Sequence, residues 1–254
     1  MKCFSLVMMG LLSAVTAQAQ LQPGKQTPES SELWSPEPRL VTAGKADSQV
    51  SGFTAPSDAI VLFDGRNLDQ WVSAKDGSSK APWTNSDGIM TVVPKSGDIQ
   101  TKELFGDYQM HIEWRTPAKV DGNGQGRGNS GIFMQGIYEL QVLDSYNNRT
   151  YSNGQAGSIY KQTMPLVNAS KGPGEWQTYD IIYTAPHFNK DGMMTIPPYI
   201  TVIHNGVLVQ NHTMIQGTTP YVGQPNITPH GRGPIKLQDH NNTTSFRNIW
   251  IREL

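Results

Sequence analysis

Glu139, Gln141 and Asp144 lie in the run Tyr138-Glu-Leu-Gln-Val-Leu-Asp144, and side chains of these types could move protons on a polar substrate. Tyr138, Leu140 and Val142 alternate with Glu139 and Gln141, the period of a strand with one face buried. Asp144 falls one residue out of phase. A single β-bulge between Gln141 and Asp144 would return its carboxylate to the face of the other two, giving acid, amide and acid in a row. Four ladder steps at ~3.3 Å put roughly 13 Å between the two acidic backbones. Only a concave sheet with inward-leaning side chains would bring the carboxyls within the ~5–9 Å that glycosidases use. The plain alternative is a pair of solvent-facing acids on an outer sheet. Nearby, Asn129, Ser130, Gly131, Gln135 and Gly136 are small or amide-bearing, which lets a ligand approach the backbone closely.

His240 ends the run Lys236-Leu-Gln-Asp-His240 and would share one strand face with Lys236 and Gln238. Near neutral pH an imidazole can serve as base, acid or metal ligand, although most single histidines are structural or merely exposed. Lys236 could be an electrophilic partner or a solvated lysine. Arg115 and Arg247 could fix a sugar hydroxyl or meet developing negative charge; the ordinary alternative is an ion pair with Glu113 or Asp180. Asp121-Gly-Asn-Gly-Gln-Gly126 copies the start of a calcium loop, but the twelfth position is Ile132 where a glutamate is needed. That stretch reads as a glycine-rich surface loop.

These residues need a scaffold, and the pattern around them is that of strands. Ile89 to Val93 follows the turn Ser86-Asp-Gly88, and Tyr108, Met110, Ile112 and Trp114 alternate with polar neighbours. Tyr179, Ile181 and Tyr183 mark another strand. Ile200–His204 and Val207–Gln210 flank Asn205-Gly206, a strong hairpin signal. Ile235 and Leu237 precede a closing strand at Phe246–Ile251. Many short strands with glycine-rich turns, no repeat and no amphipathic helix predict one all-β domain, a two-sheet antiparallel sandwich or jelly roll.

Net charge is −1, giving no electrostatic case for nucleic acid or anionic lipid. Residues 1–19 carry one Lys, a short apolar run and Ala17-Gln-Ala19, which predicts a signal peptide cut after Ala19 and export to the periplasm or beyond. That run is too short to span a bilayer, and no later stretch is apolar enough. The single cysteine, Cys3, lies inside that segment, so the mature chain would have neither disulfide nor thiolate metal site. Residues 20–56, rich in Pro, Ser and Gln, read as a flexible leader. The folded domain is expected over 57–254. Asn-x-Ser/Thr sites at Asn148, Asn168, Asn211, Asn226 and Asn242 matter only in a host that glycosylates them.

Five separated segments, in order, resemble the 3-keto-disaccharide hydrolase family: Leu62-Phe-Asp-Gly-Arg-Asn-Leu-Asp-Gln-Trp71, Gly128-Asn-Ser-Gly-Ile-Phe133, Tyr138 to Tyr146, Gly174-Glu-Trp176, and Leu237-Gln-Asp-His240 with Phe246 to Arg252. The resemblance implies a concanavalin-A-like lectin/glucanase jelly roll with a sugar cleft on its concave sheet. Glu139-x-Gln141-x-x-Asp144 is also similar to the Glu-x-Asp-x-x-Glu strand of laminarinase-type glucanases, where the first glutamate is the nucleophile and the last the acid/base. Gln141 and Asp144 depart from that pattern.

The implied chemistry is cleavage of 3-keto-glycosides. A ketone at C3 acidifies the C2 proton, the C1 substituent leaves by β-elimination, and hydration completes net hydrolysis. Glu139 or His240 would be the base and Asp144 the acid. Lys236, Arg115 or a divalent metal would stabilise the enolate, while Asn129, Gln141, Gln238 and Arg247 would bind the sugar. A calcium, manganese or zinc ion could take ligands from Glu139, Asp144 and His240. Two other functions fit the same fold, a non-catalytic carbohydrate-binding module and an ordinary endo-β-glucanase.

Overall fold

A computed structural model describes residues 27–37, 39–40 and 55–254. The stretch read as a signal peptide, residues 1–19, lies outside the described residues, as does most of the stretch read as a leader.

The alternating segments pair into two antiparallel sheets facing each other across one core. Along the larger sheet the order is Val207–Met214, Tyr199–His204, Gln177–Thr184, Tyr108–Arg115, Ser245–Glu253, Ile89–Thr91 and Thr84–Ser86, with Ile60–Phe63 also on Ser245–Glu253. The smaller sheet runs Trp71–Ser73, Ile99–Thr101, Lys236–Leu237, Ser130–Met134 and Tyr138–Val142. The Asn205-Gly206 hairpin forms as read, with His204 opposite Val207 and both turn residues at positive φ.

Period two decides what each strand buries. Met110, Ile112, Trp114, Tyr179, Ile181 and Tyr183 of the large sheet pack against Ile132, Met134, Tyr138, Leu140, Val142 and Leu237 of the small one, all buried. Two phenols tie the sheets across this apolar layer. The Tyr179 hydroxyl donates to the Gln141 carbonyl at 2.8 Å, and the Tyr183 hydroxyl to the Gln135 side-chain oxygen at 2.8 Å. A buried hydroxyl without such an acceptor would cost about 1–3 kcal/mol. Among the described residues no helix is long and apolar enough to cross a membrane.

Part of the expected flexible leader is instead docked. Pro28–Ser31 forms a short 3₁₀ turn, and Arg39–Leu40 pairs in parallel with Val167–Asn168. The Ser31 carbonyl accepts from the Asn153 amide at 3.1 Å, and the Leu33 N–H donates to the same side chain at 3.2 Å. The Ser152 N–H donates to the Leu33 carbonyl and its hydroxyl to that of Pro36. Backbone hydrogen bonding therefore orders a segment whose composition has too few apolar residues to order itself.

Candidate active site

Glu139 and Gln141 sit on the face of the small sheet that points away from the core, yet both are buried, 5% and 1% exposed. The Tyr138–Val142 strand pairs with Ser130–Met134 so that Gly131 lies opposite Gln141 and Phe133 opposite Glu139. Gly131 has no Cβ because the Glu139 carboxyl occupies that space: a Cβ there would stand 2.3 Å from Glu139 Oε1. Above the strand, the Thr219 hydroxyl accepts the Glu139 N–H at 3.2 Å and the Tyr160 N–H donates to the Glu139 carbonyl at 3.1 Å.

The side chains of Glu139, Gln141, Gln238, Tyr160, Tyr221 and His240 converge on a cavity of about 200 Å³. Burial pushes the Glu139 carboxyl up to about 8, tempered by the positive charge of Lys236 and reinforced by Asp98. Such a group exchanges its proton close to neutral pH, where general acid–base catalysis works best. Gln141 donates from Nε2 to Gln125 Oε1 and Asn129 Oδ1, each at 3.2 Å. Its Oε1 and that of Gln238 are buried and accept no hydrogen bond from the described residues. Both amides belong to residues that line the cavity, and amide groups there suit the hydroxyls of a polyol. The Lys236–Leu237 strand ends before Gln238, so His240 is exposed instead of lying in the expected row, but it still reaches the cavity rim.

Asp144 does not join this group. The strand stops at Val142 with no register shift against its partner, so the expected bulge is absent. The Asp144 carboxylate takes a 2.7 Å hydrogen bond from Arg127 Nε and the Tyr146 N–H at 3.2 Å. It lines a separate cavity of about 300 Å³ with Asp121, Arg127 and Asn242. Arg115 and Arg247 also lie elsewhere, on the large sheet. Both guanidiniums stack on Trp176, at 4.6 and 4.1 Å, and Arg247 pairs with Glu113 at 2.6 Å, the ion-pair alternative.

Lys236 places its ammonium 4.0 Å over the Phe133 ring and 3.5 Å from Asp98. It acts on Glu139 through charge, not by lining the cavity. Asn129 lines the cavity and supports it by holding Gln141. Among the described residues no group of three or more His, Cys, Asp or Glu side chains is placed to hold a metal, so Glu139, Asp144 and His240 do not make such a set. Tyr160, Thr219 and Tyr221 were not legible in the sequence, because they sit in irregular loops with no period to betray their direction.

A second cavity, about 830 Å³, adjoins the first and shares Asn129, Tyr160, Tyr221 and His240 with it. Its far wall holds Glu32 and Trp34 of the docked segment, with Arg127, Arg149 and Tyr151.

Comparison with known proteins gives the family and the fold. The 3-keto-alpha-glucoside-1,2-lyase-like domain matches residues 58–252. A candidate glycosyl hydrolase from Parabacteroides distasonis ATCC 8503, solved at 2.13 Å, is 58% identical and superposes with a TM-score of 0.78, covering 90% of this chain and 97% of its own. Two more candidate glycosyl hydrolases of that organism share the fold at 19% and 23% identity, with TM-scores of 0.54 and 0.51. They cover 78% and 77% of this chain and 94% and 99% of their own. Among curated proteins none matches.

Proposed function

The chain belongs to the 3-keto-alpha-glucoside-1,2-lyase-like family, and from that premise we propose that it is an exported enzyme cleaving the glycosidic bond of 3-keto-glycosides by elimination and hydration. The observation that carries this reading is the buried Glu139 carboxyl on the wall of the 200 Å³ cavity, which burial pushes up to about 8. Ionised Glu139 takes the C2 proton of the bound sugar, and the C–H electron pair delocalises into the C3 ketone as an enolate. The enolate then re-forms the ketone while expelling the C1 substituent, whose oxygen takes up a proton. His240, on the rim where the two cavities meet, is suited to deliver it. Water adds across the new C1=C2 bond, placing hydroxyl on C1 and hydrogen on C2, so one water is consumed per bond cleaved.

The positive charge of Lys236 favours the anionic intermediate, and the amide side chains of Gln141 and Gln238 on the cavity wall serve the sugar hydroxyls. An ordinary glycosidase needs two carboxyls flanking the scissile bond. The residues lining the small cavity include one, Glu139, and Asp144 is bound to Arg127 outside it. Elimination needs a single base and so fits this cavity better than glucanase chemistry. Export rests on the signal-like composition of residues 1–19. Side-by-side incubation with a 3-keto-disaccharide, its unoxidised parent and an unoxidised β-glucan tests the reading. Cleavage of the keto sugar alone is expected. Binding of either without cleavage would make this a carbohydrate-binding module, and cleavage of unoxidised β-glucan would make it a glucanase.

A further inference from the structure

The small cavity, about 200 Å³, is below the roughly 300–1,000 Å³ of pockets that enclose a drug-sized ligand, while its neighbour, about 830 Å³, is near the top of that range. If the keto sugar occupies the first, against Glu139, its C1 substituent leaves past the shared rim at His240 and Tyr221 into the second. We propose that the docked segment around Trp34 completes a leaving-group subsite, in which Trp34 and Tyr221 receive the flat face of the departing ring, a second sugar or an aryl aglycone. This rests on the keto-glycoside reading above.

Trp34 and Tyr221 are 51% and 61% exposed, although both line the cavity wall. Rings left uncovered in a concavity are a binding surface for apolar ring faces. Trp34 is held in place, with its Nε1 donating to Glu32 at 3.3 Å and its ring edge against Tyr151 at 6.3 Å. The two ring-bearing segments are also joined to each other. The Lys161 ammonium, on a side chain only 3% exposed, donates to the Pro28 carbonyl at 2.7 Å and the Tyr221 carbonyl at 2.8 Å. A buried ammonium is costly unless its donors are used, so it fixes both carbonyls firmly. Asn147, Arg127 and Arg149 supply donors on the remaining wall for hydroxyls of the ring.

The test compares Trp34→Ala and Trp34→Phe with the wild type on 3-keto methyl glucoside, a 3-keto aryl glucoside and a 3-keto-disaccharide. Trp34→Ala is expected to raise KM about tenfold for at least one of the two ring-bearing substrates, with kcat and the methyl glucoside unchanged. Trp34→Phe should restore most of the loss. Which of the two substrates responds identifies sugar or aryl as the preferred leaving group. An equal rise for the methyl glucoside, or no rise at all, overturns the subsite.

Should the wild type turn over none of the three, the chemical reading fails on its own. The subsite is then read by calorimetric binding of an unoxidised disaccharide and its monosaccharide. Disaccharide binding that weakens in Trp34→Ala, with monosaccharide binding unchanged, sustains it. Disaccharide binding that is absent in the wild type, or unaffected by the substitution, overturns it.

Discussion

Glu139→Gln is expected to lower kcat/KM on a 3-keto-glycoside by about 10²–10⁴-fold, the usual contribution of a positioned general base, while the protein still folds. The amide keeps the shape of the carboxyl but cannot take the C2 proton. In the wild type, kcat/KM should rise with pH until about 8, as burial holds the acid form of Glu139 to that point. A stability signature accompanies this. The folded carboxyl holds its proton to about 8, against an ordinary value of 4.5, so the folded state binds more protons between those limits. Stability is then full below 4.5, declines as pH rises from there to about 8, and is level above it as far as this group is concerned. Glu139→Gln removes the decline. Thermal unfolding from pH 4 to 9 should show a falling Tm in the wild type and a flatter curve in the variant. A variant that keeps full activity, or loses its fold at every pH, counts against the assignment.

Gly131→Ala is expected to cost about a hundredfold in kcat/KM with little loss of stability. The added Cβ would stand 2.3 Å from Glu139 Oε1 and 2.9 Å from the Phe133 ring, and the carboxyl is the flexible end of its side chain, so it moves. A shift near 1 Å in a catalytic group typically costs ~10² in rate. The backbone at Gly131 is not in the left-handed region, so alanine is conformationally acceptable there. Kinetics alongside a melting curve separates this displacement from simple misfolding, because a drop in Tm that matches the drop in activity would point to a packing defect instead.

The structure bears out the sandwich read from the sequence wherever the signal was local. The alternation at Tyr138, Leu140 and Val142 gave both the strand and the direction of Glu139 and Gln141, and Asn205-Gly206 gave its hairpin. Asp144 was misplaced because the phase break admits two resolutions. A bulge would keep it beside Glu139, but the strand ends and Arg127 captures it, a partner 17 positions away that no periodicity reveals. Arg115 and Arg247 were grouped with the site by residue type, whereas strand pairing assigns them to the other sheet.

Tyr160, Thr219 and Tyr221 enter through irregular loops, and residues 27–37 dock largely through main-chain groups, which every sequence has. The family resemblance drawn from five motifs is the one the domain match over residues 58–252 establishes.

The central claim is removal of the C2 proton in the Glu139 cavity, and cleavage of a 3-keto-disaccharide in D₂O tests it most directly. Elimination followed by hydration places solvent deuterium at C2 of the released keto sugar, beyond what the free keto sugar acquires in buffer alone. Retention of the original hydrogen at C2 through complete cleavage would contradict it.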